Sequence, residues 1–196
     1  MPPAPLTHLD LTRSYTYADY QKWKFELVEL VKGKPLRAMS SPNRRQQDLV
    51  NNMLAMLLPF LRGRAGRAYH APFDVRLPCQ PGQADHQVCT VVQPDLCVVL
   101  DPAKLDARGC LGAPDWIVEV ATPGHISRDT KIKLDLYQEH GVGEYWILLP
   151  GEQVVVAYLL EKGQYRLSAE YAEPGPVPVR TLPGLTLEWA EIFSAA

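Results

Sequence analysis

Apolar side chains recur every three to four positions at Leu49, Val50, Met53, Leu54, Leu57, Leu58 and Leu61. That spacing lays one stripe along an α-helix over residues 44–62, with Asn43 placed to cap its start. A second helix is predicted over 128–140, closed by Gly141, since glycine tolerates the left-handed conformation that ends helices. Thr16 and Asp19 form a capping-box pair, so a short helix follows them to about Lys24. Elsewhere the apolar runs are short. Residues 25–31 and 35–39 flank Lys32-Gly33-Lys34 and predict a β-hairpin. Residues 67–77 read as a strand stopped by Pro78, and 79–89 as a polar loop. TVVQPDLCVVL (90–100) and WIVEVA (116–121) are apolar on both faces, as strands buried on both sides are. Residues 144–149, 153–160 and 164–168 form an antiparallel meander with a turn at Lys162-Gly163. Residues 185–193 close the chain with a strand and a short helix. The expectation is an arm over 1–15 and one α/β domain over 16–196: a mixed β-sheet flanked by helices, with an N-terminal helix-hairpin and the C-terminal meander.

Composition narrows the class. Hydrophobic residues are 46% and charged residues 21% of the 196, which is globular rather than disordered. The best apolar run, 53–60, is far short of the roughly 18 residues of a membrane span and contains Pro59. The N-terminus lacks the basic start and apolar block of a secretory signal. Cys79, Cys89, Cys97 and Cys110 include no CxxC pair and no histidine at zinc spacing, so reduced thiols in a cytoplasm are expected. Net charge is −2, which excludes holding nucleic acid by bulk positive charge. It does not exclude an enzyme that meets phosphate through a metal and a local basic patch. The 18 prolines point to short strands with abrupt ends.

Two acids interrupt the apolar strands: Asp95 in VVQPDLCVVL and Glu119 in WIVEVA. A desolvated carboxylate costs several kcal/mol unless something offsets its charge. One such acid would simply be wet, or paired with an arginine. Two on successive core strands, each beside a proline break, favour a shared divalent cation, and oxygen donors suit magnesium or manganese. On the following helix Asp129, Lys133 and Tyr137 fall at i, i+4 and i+8, one face. Lys133 therefore projects beside the core, either towards the acids or in a plain helix pair with Asp129.

These residues, taken in order, resemble a known family. Pro94-Asp95, WIVEVA, RDTKIKLDLY (128–137) and GVGEYWI (141–147) are similar to the Uma-two family, restriction-endonuclease-like proteins of the PD-(D/E)XK nuclease superfamily. ELVKG (29–33), MSSP (39–42), FDVRL (73–77), LPGL (182–185) and Ile192-Phe193 extend the resemblance to about residues 15–195. The resemblance implies a restriction-endonuclease-like fold and hydrolysis of DNA phosphodiesters with magnesium held by Asp95 and Glu119. The superfamily's usual lysine position is Ala121 here, and Lys133 matches a lysine moved to the next helix, with Lys131 as second choice. Glu29 matches an acid that contributes to the metal site, and Asp74 a further family acid. Gln46 stands where relatives often carry histidine.

For DNA the chain offers Arg44 and Arg45 at one end of the long helix and Arg62, Arg64 and Arg67 beyond the other, about 27 Å apart at 1.5 Å per residue. Superfamily nucleases often pair subunits, and the hairpin around Tyr145 and Tyr158 offers an apolar edge for a homodimer. His125 follows the strand of Glu119 and is a candidate to line the site. Trp116, Tyr145 and Trp146 read as core. The rival to an endonuclease is a catalytically silent DNA- or protein-binding module that keeps the fold.

Overall fold

The computed structural model describes residues 9–23, 28–37, 43–121 and 126–194, with side chains described from 131 onward in the helix that begins at Ile126. Lys24, the strand start at 25–27, the MSSP segment, His125 and the Asp129 side chain lie outside the described residues.

The mixed α/β class is observed, with its strands divided between two six-stranded sheets and a two-stranded ribbon. The elements run in the order α1 (Tyr17–Tyr20), β1 (Val28–Val31), β2 (Lys34–Arg37), α2 (Arg44–Leu61), β3 (Arg67–His70), β4 (Val75–Arg76), β5 (Val91–Val92) and β6 (Leu96–Val99). Then follow β7 (Leu105–Asp106), β8 (Gly109–Leu111), β9 (Trp116–Val120), α3 (Ile126–His140), β10 (Glu144–Leu149), β11 (Val154–Glu161), β12 (Gln164–Tyr171), β13 (Pro176–Pro178), β14 (Thr186–Glu188) and α4 (Trp189–Ile192). The first sheet has the order β2-β1-β5-β4-β8-β7, the second β12-β11-β10-β9-β6-β3, and β13 pairs with β14.

Asn43 caps α2 by accepting the Gln46 N–H at 2.9 Å, and Leu49, Val50, Met53, Leu57 and Leu61 are buried against the second sheet. Leu58, expected in the stripe, is 52% exposed and belongs to the outer face. The helix α3 connects the parallel strands β9 and β10. One face of the second sheet packs on α2, α4 and the ribbon. Its other face packs on α3 and on Val75, Val92 and Cys110 of the first sheet. Trp116, Tyr145 and Trp146 are core side chains, all nearly fully buried.

Two expected strands break in a way that matters. Residues 67–77 are β3 and β4, in different sheets, because Pro72 has no N–H to continue a ladder. Residues 90–100 are β5 and β6, again in different sheets, parted at Gln93-Pro94-Asp95 for the same reason. The chain thus passes from one sheet to the other at Asp95. The short β7, β8 and β13 had no alternation to announce them. Gly109, at φ +128°, lets β8 approach the Asp74 backbone, whose carbonyl oxygen lies 2.2 Å from where a Cβ would stand. The arm is held at its end: the Lys34 ammonium donates to the carbonyls of Leu11, Thr12 and Arg13.

The apolar dimerisation edge expected around Tyr145 and Tyr158 is absent. Pairing with β12 along its length makes β11 an interior strand, and Tyr145 is buried. The borders of this sheet are β12 and β3, and the β11–β12 ladder shifts register between Ala157 and Tyr158 of β11.

Candidate active site

Leu96 pairs with Val118 across β6 and β9, so one step further along the antiparallel register sets Asp95 opposite Glu119. Directly opposed residues share a face of the sheet. The face is the one that carries Cys97 and Ile117 and looks towards α3. Asp95 is fastened at both oxygens: Oδ1 accepts from Gln46 Nε2 at 2.8 Å and Oδ2 from the Val120 N–H at 2.7 Å. Gln46 is on the first turn of α2, so the Asn43 cap that starts this helix also aims a donor at Asp95.

Glu119 is met from α3. Lys133 Nζ donates to its Oε1 at 2.8 Å and Tyr137 Oη to the same atom at 2.6 Å. The ammonium also donates to Glu29 Oε1 at 3.3 Å, and Glu29 in turn accepts the Gln93 N–H at 2.8 Å. Glu29 comes from β1 in the first sheet and Glu119 from β9 in the second. Side-chain exposure is 17% for Lys133, 10% for Glu29 and 13% for Glu119. The cluster is therefore mostly desolvated yet open to solvent at one side.

Three carboxylates here face one ammonium, and the proton affinities of Asp95 and Glu119 reflect it. Burial raises Asp95 above the usual carboxylate range, although the Val120 N–H, Lys133 and Gln46 pull the other way. Burial, reinforced by Asp95 and Glu29 and opposed by Lys133, pushes Glu119 up to about 7. Burial alone would make Lys133 less basic, but Glu119, Glu29 and Asp95 outweigh it and hold its ammonium charged. Tyr137 is pushed well up, by burial first and then by Glu119, and so stays a neutral phenol that can donate.

Of the residues singled out in the sequence, Asp95, Glu119, Lys133 and Glu29 are brought together. Lys131 is exposed on another face of α3. Asp74 stands one layer behind, where its Oδ1 accepts from Gln93 Nε2 at 2.8 Å and Tyr20 Oη at 3.1 Å. The arginines do not converge here. Arg45 donates to the carbonyls of Phe193 and Ser194, and Arg67 to those of Arg64, Ala65 and Gly66. Arg64 stacks on Phe60, and Arg44 pairs with Asp48 at the surface. Sequence reading left Gln93 out and gave Tyr137 no task beyond a helix face. The i+4 step from Lys133 to Tyr137 was the available signal.

Among the described residues no three His, Cys, Asp or Glu side chains form a ready-made metal cage. Magnesium does not need one: it keeps several waters and is commonly bound through one or two carboxylates. Asp95 and Glu119, with charge unbalanced by Lys133, fit that requirement. Among the described residues, no helix is long and apolar enough to cross a membrane.

Fold and site together define a mixed α/β protein with opposed, partly buried acids on adjacent strands and a lysine supplied by the next helix. The chain belongs to the Uma2 family, whose model, described as "Putative restriction endonuclease", matches residues 11–190. No curated protein matches it. A solved structure from Anabaena variabilis, described as "a putative nuclease belonging to DUF820", is similar at a TM-score of 0.70 with 20% identity. The match covers 91% of this chain and 97% of that one, and at this identity it shows a shared fold.

Proposed function

We propose that this chain is a DNA nuclease that hydrolyses phosphodiester bonds with magnesium or manganese held by Asp95 and Glu119. The observation that carries the reading is the juxtaposition of these two acids on one face with the Lys133 ammonium against them. A bound divalent cation would supply Lewis acidity at the scissile phosphate and lower the pKa of a coordinated water. The chain's own residues do the rest. Gln46 and the Val120 N–H fix the Asp95 carboxylate in place. Lys133 stays protonated beside the acids, where it orients the attacking water or stabilises charge developing on the phosphoryl oxygens. Glu29 keeps Lys133 pointed inward. The test is nicking of supercoiled plasmid with magnesium, manganese or chelator. Cleavage that needs the metal and disappears in Asp95→Asn supports the reading; metal-independent cleavage, or none in the wild type, overturns it.

One observation favours a silent binding module instead. Arg45 and Arg67, expected at DNA, are occupied by carbonyls of the chain itself. In that case the module binds protein rather than DNA, and the wild type neither shifts a DNA duplex in calcium nor cleaves one in magnesium or manganese.

A further inference from the structure

Glu119 receives its two donors on the same oxygen. Lys133 at 2.8 Å and Tyr137 at 2.6 Å both reach Oε1, and Oε2 accepts nothing from the described residues. A carboxylate oxygen offers about two lone-pair directions. Oε1 is thus fully used, and among the described residues Oε2 is open. Asp95 differs, with one donor on each oxygen. Tyr137 is itself fully buried, with its ring edge-on to Tyr145 at 5.1 Å. The phenol is therefore fixed by packing and cannot follow Glu119 if that side chain turns. We propose that Tyr137 is a positioning residue: with Lys133 it saturates Oε1 of Glu119 and presents Oε2 alone to a divalent cation. The inference rests on the metal site proposed above and goes beyond it by naming which oxygen binds and what enforces the choice.

Without the hydroxyl, Oε1 regains a free lone pair and the carboxylate can rotate between one- and two-oxygen presentation. Tyr137→Phe removes only that hydroxyl and keeps the ring. Losses in metal affinity on removing such orienting partners run roughly 10- to 100-fold. Tyr165→Phe is the control. It removes a hydroxyl from the same aromatic cluster, one that donates to the Val142 carbonyl at 2.9 Å, and does not touch Glu119. Manganese is titrated into each protein and free ion read by electron paramagnetic resonance; nicking is followed in parallel with varied DNA. Tyr137→Phe is expected to bind manganese about 10-fold or more weakly and to lower kcat with KM for DNA unmoved. Tyr165→Phe is expected to melt lower while binding manganese as the wild type does. If both variants match the wild type in manganese affinity, or both weaken alike, the Tyr137 role is wrong while the nuclease reading stands. If the wild type itself binds no manganese, both fall.

Discussion

The ammonium of Lys133 stands 2.8 Å from a carboxylate oxygen of Glu119, reached from the helix that follows the acid's own strand. Two residues after Glu119 the strand carries Ala121, which has no charge to offer, and the cation beside Glu119 comes from α3 instead. The helix provides what the strand lacks because it packs over the face on which Glu119 points.

Lys133→Met tests that assignment. Nicking is expected to fall at least about 100-fold, the scale for losing a preorganised charge donor. Lys133 is also the partner of two largely buried acids. Removing it is expected to destabilise the protein at neutral pH by about 3 kcal/mol, the lower part of the range for breaking buried pairs. Denaturant melts at pH 7.5 check this; full nicking in the variant would show that cleavage does not use Lys133.

Glu119→Gln gives a pH-dependent result. The folded-state affinity of Glu119 is raised to about 7 by burial. Between about 4.5 and 7 the folded protein therefore holds a proton that the unfolded chain has released, and this group's contribution to stability is lost as pH rises through that window. Gln carries no charge at any pH. The melting temperature of Glu119→Gln minus that of wild type, measured without metal, is expected to grow from pH 5 to pH 8. Addition of manganese should raise the wild-type melting temperature and leave the variant's unchanged. A pH-independent difference would show that Glu119 is ionised throughout.

Arg45 and Arg64 separate structure from DNA contact. Arg45→Ala removes donors to the Phe193 and Ser194 carbonyls and is expected to cost about 1 kcal/mol of stability with little change in DNA affinity. Arg64→Ala is expected to leave stability within about 0.5 kcal/mol. If Arg64 meets phosphate, its loss lowers the slope of log affinity against log salt by about 1. Equal effects of the two variants on the salt slope would place Arg45 at the DNA as well.

Gly109→Ala probes the support behind the site. Its added Cβ would meet the Asp74 carbonyl oxygen at 2.2 Å, at a φ of +128° that other residues avoid. A loss on the order of 2–4 kcal/mol is expected by chemical denaturation. Wild-type stability in that variant would mean β8 does not approach Asp74 so closely.

Much of this was legible. The spacing of Leu49, Val50, Met53, Leu57 and Leu61 marked the long helix because only one face is buried, and Asp95 and Glu119 stood out because acids are rare in apolar strands. The pairing of Tyr137 with Glu119 was not legible, since a tyrosine at helical spacing reads equally as core. The parting of residues 90–100 between two sheets was also hidden. Pro94 announces a break in the ladder, but which sheet each half joins is decided by distant strands, β4 and β9. The arginines misled for a related reason: charge is visible in a sequence, whereas the carbonyls at Phe193 and Ser194 that engage Arg45 depend on where α4 docks.

The crossing at Gln93-Pro94-Asp95 makes the constellation an interlock. Glu29 is delivered by one sheet, Glu119 by the other, and Asp95 by the link between them, so neither sheet carries the whole cluster. The Lys133 ammonium meets both Glu29 and Glu119 only where the two sheets lie against each other.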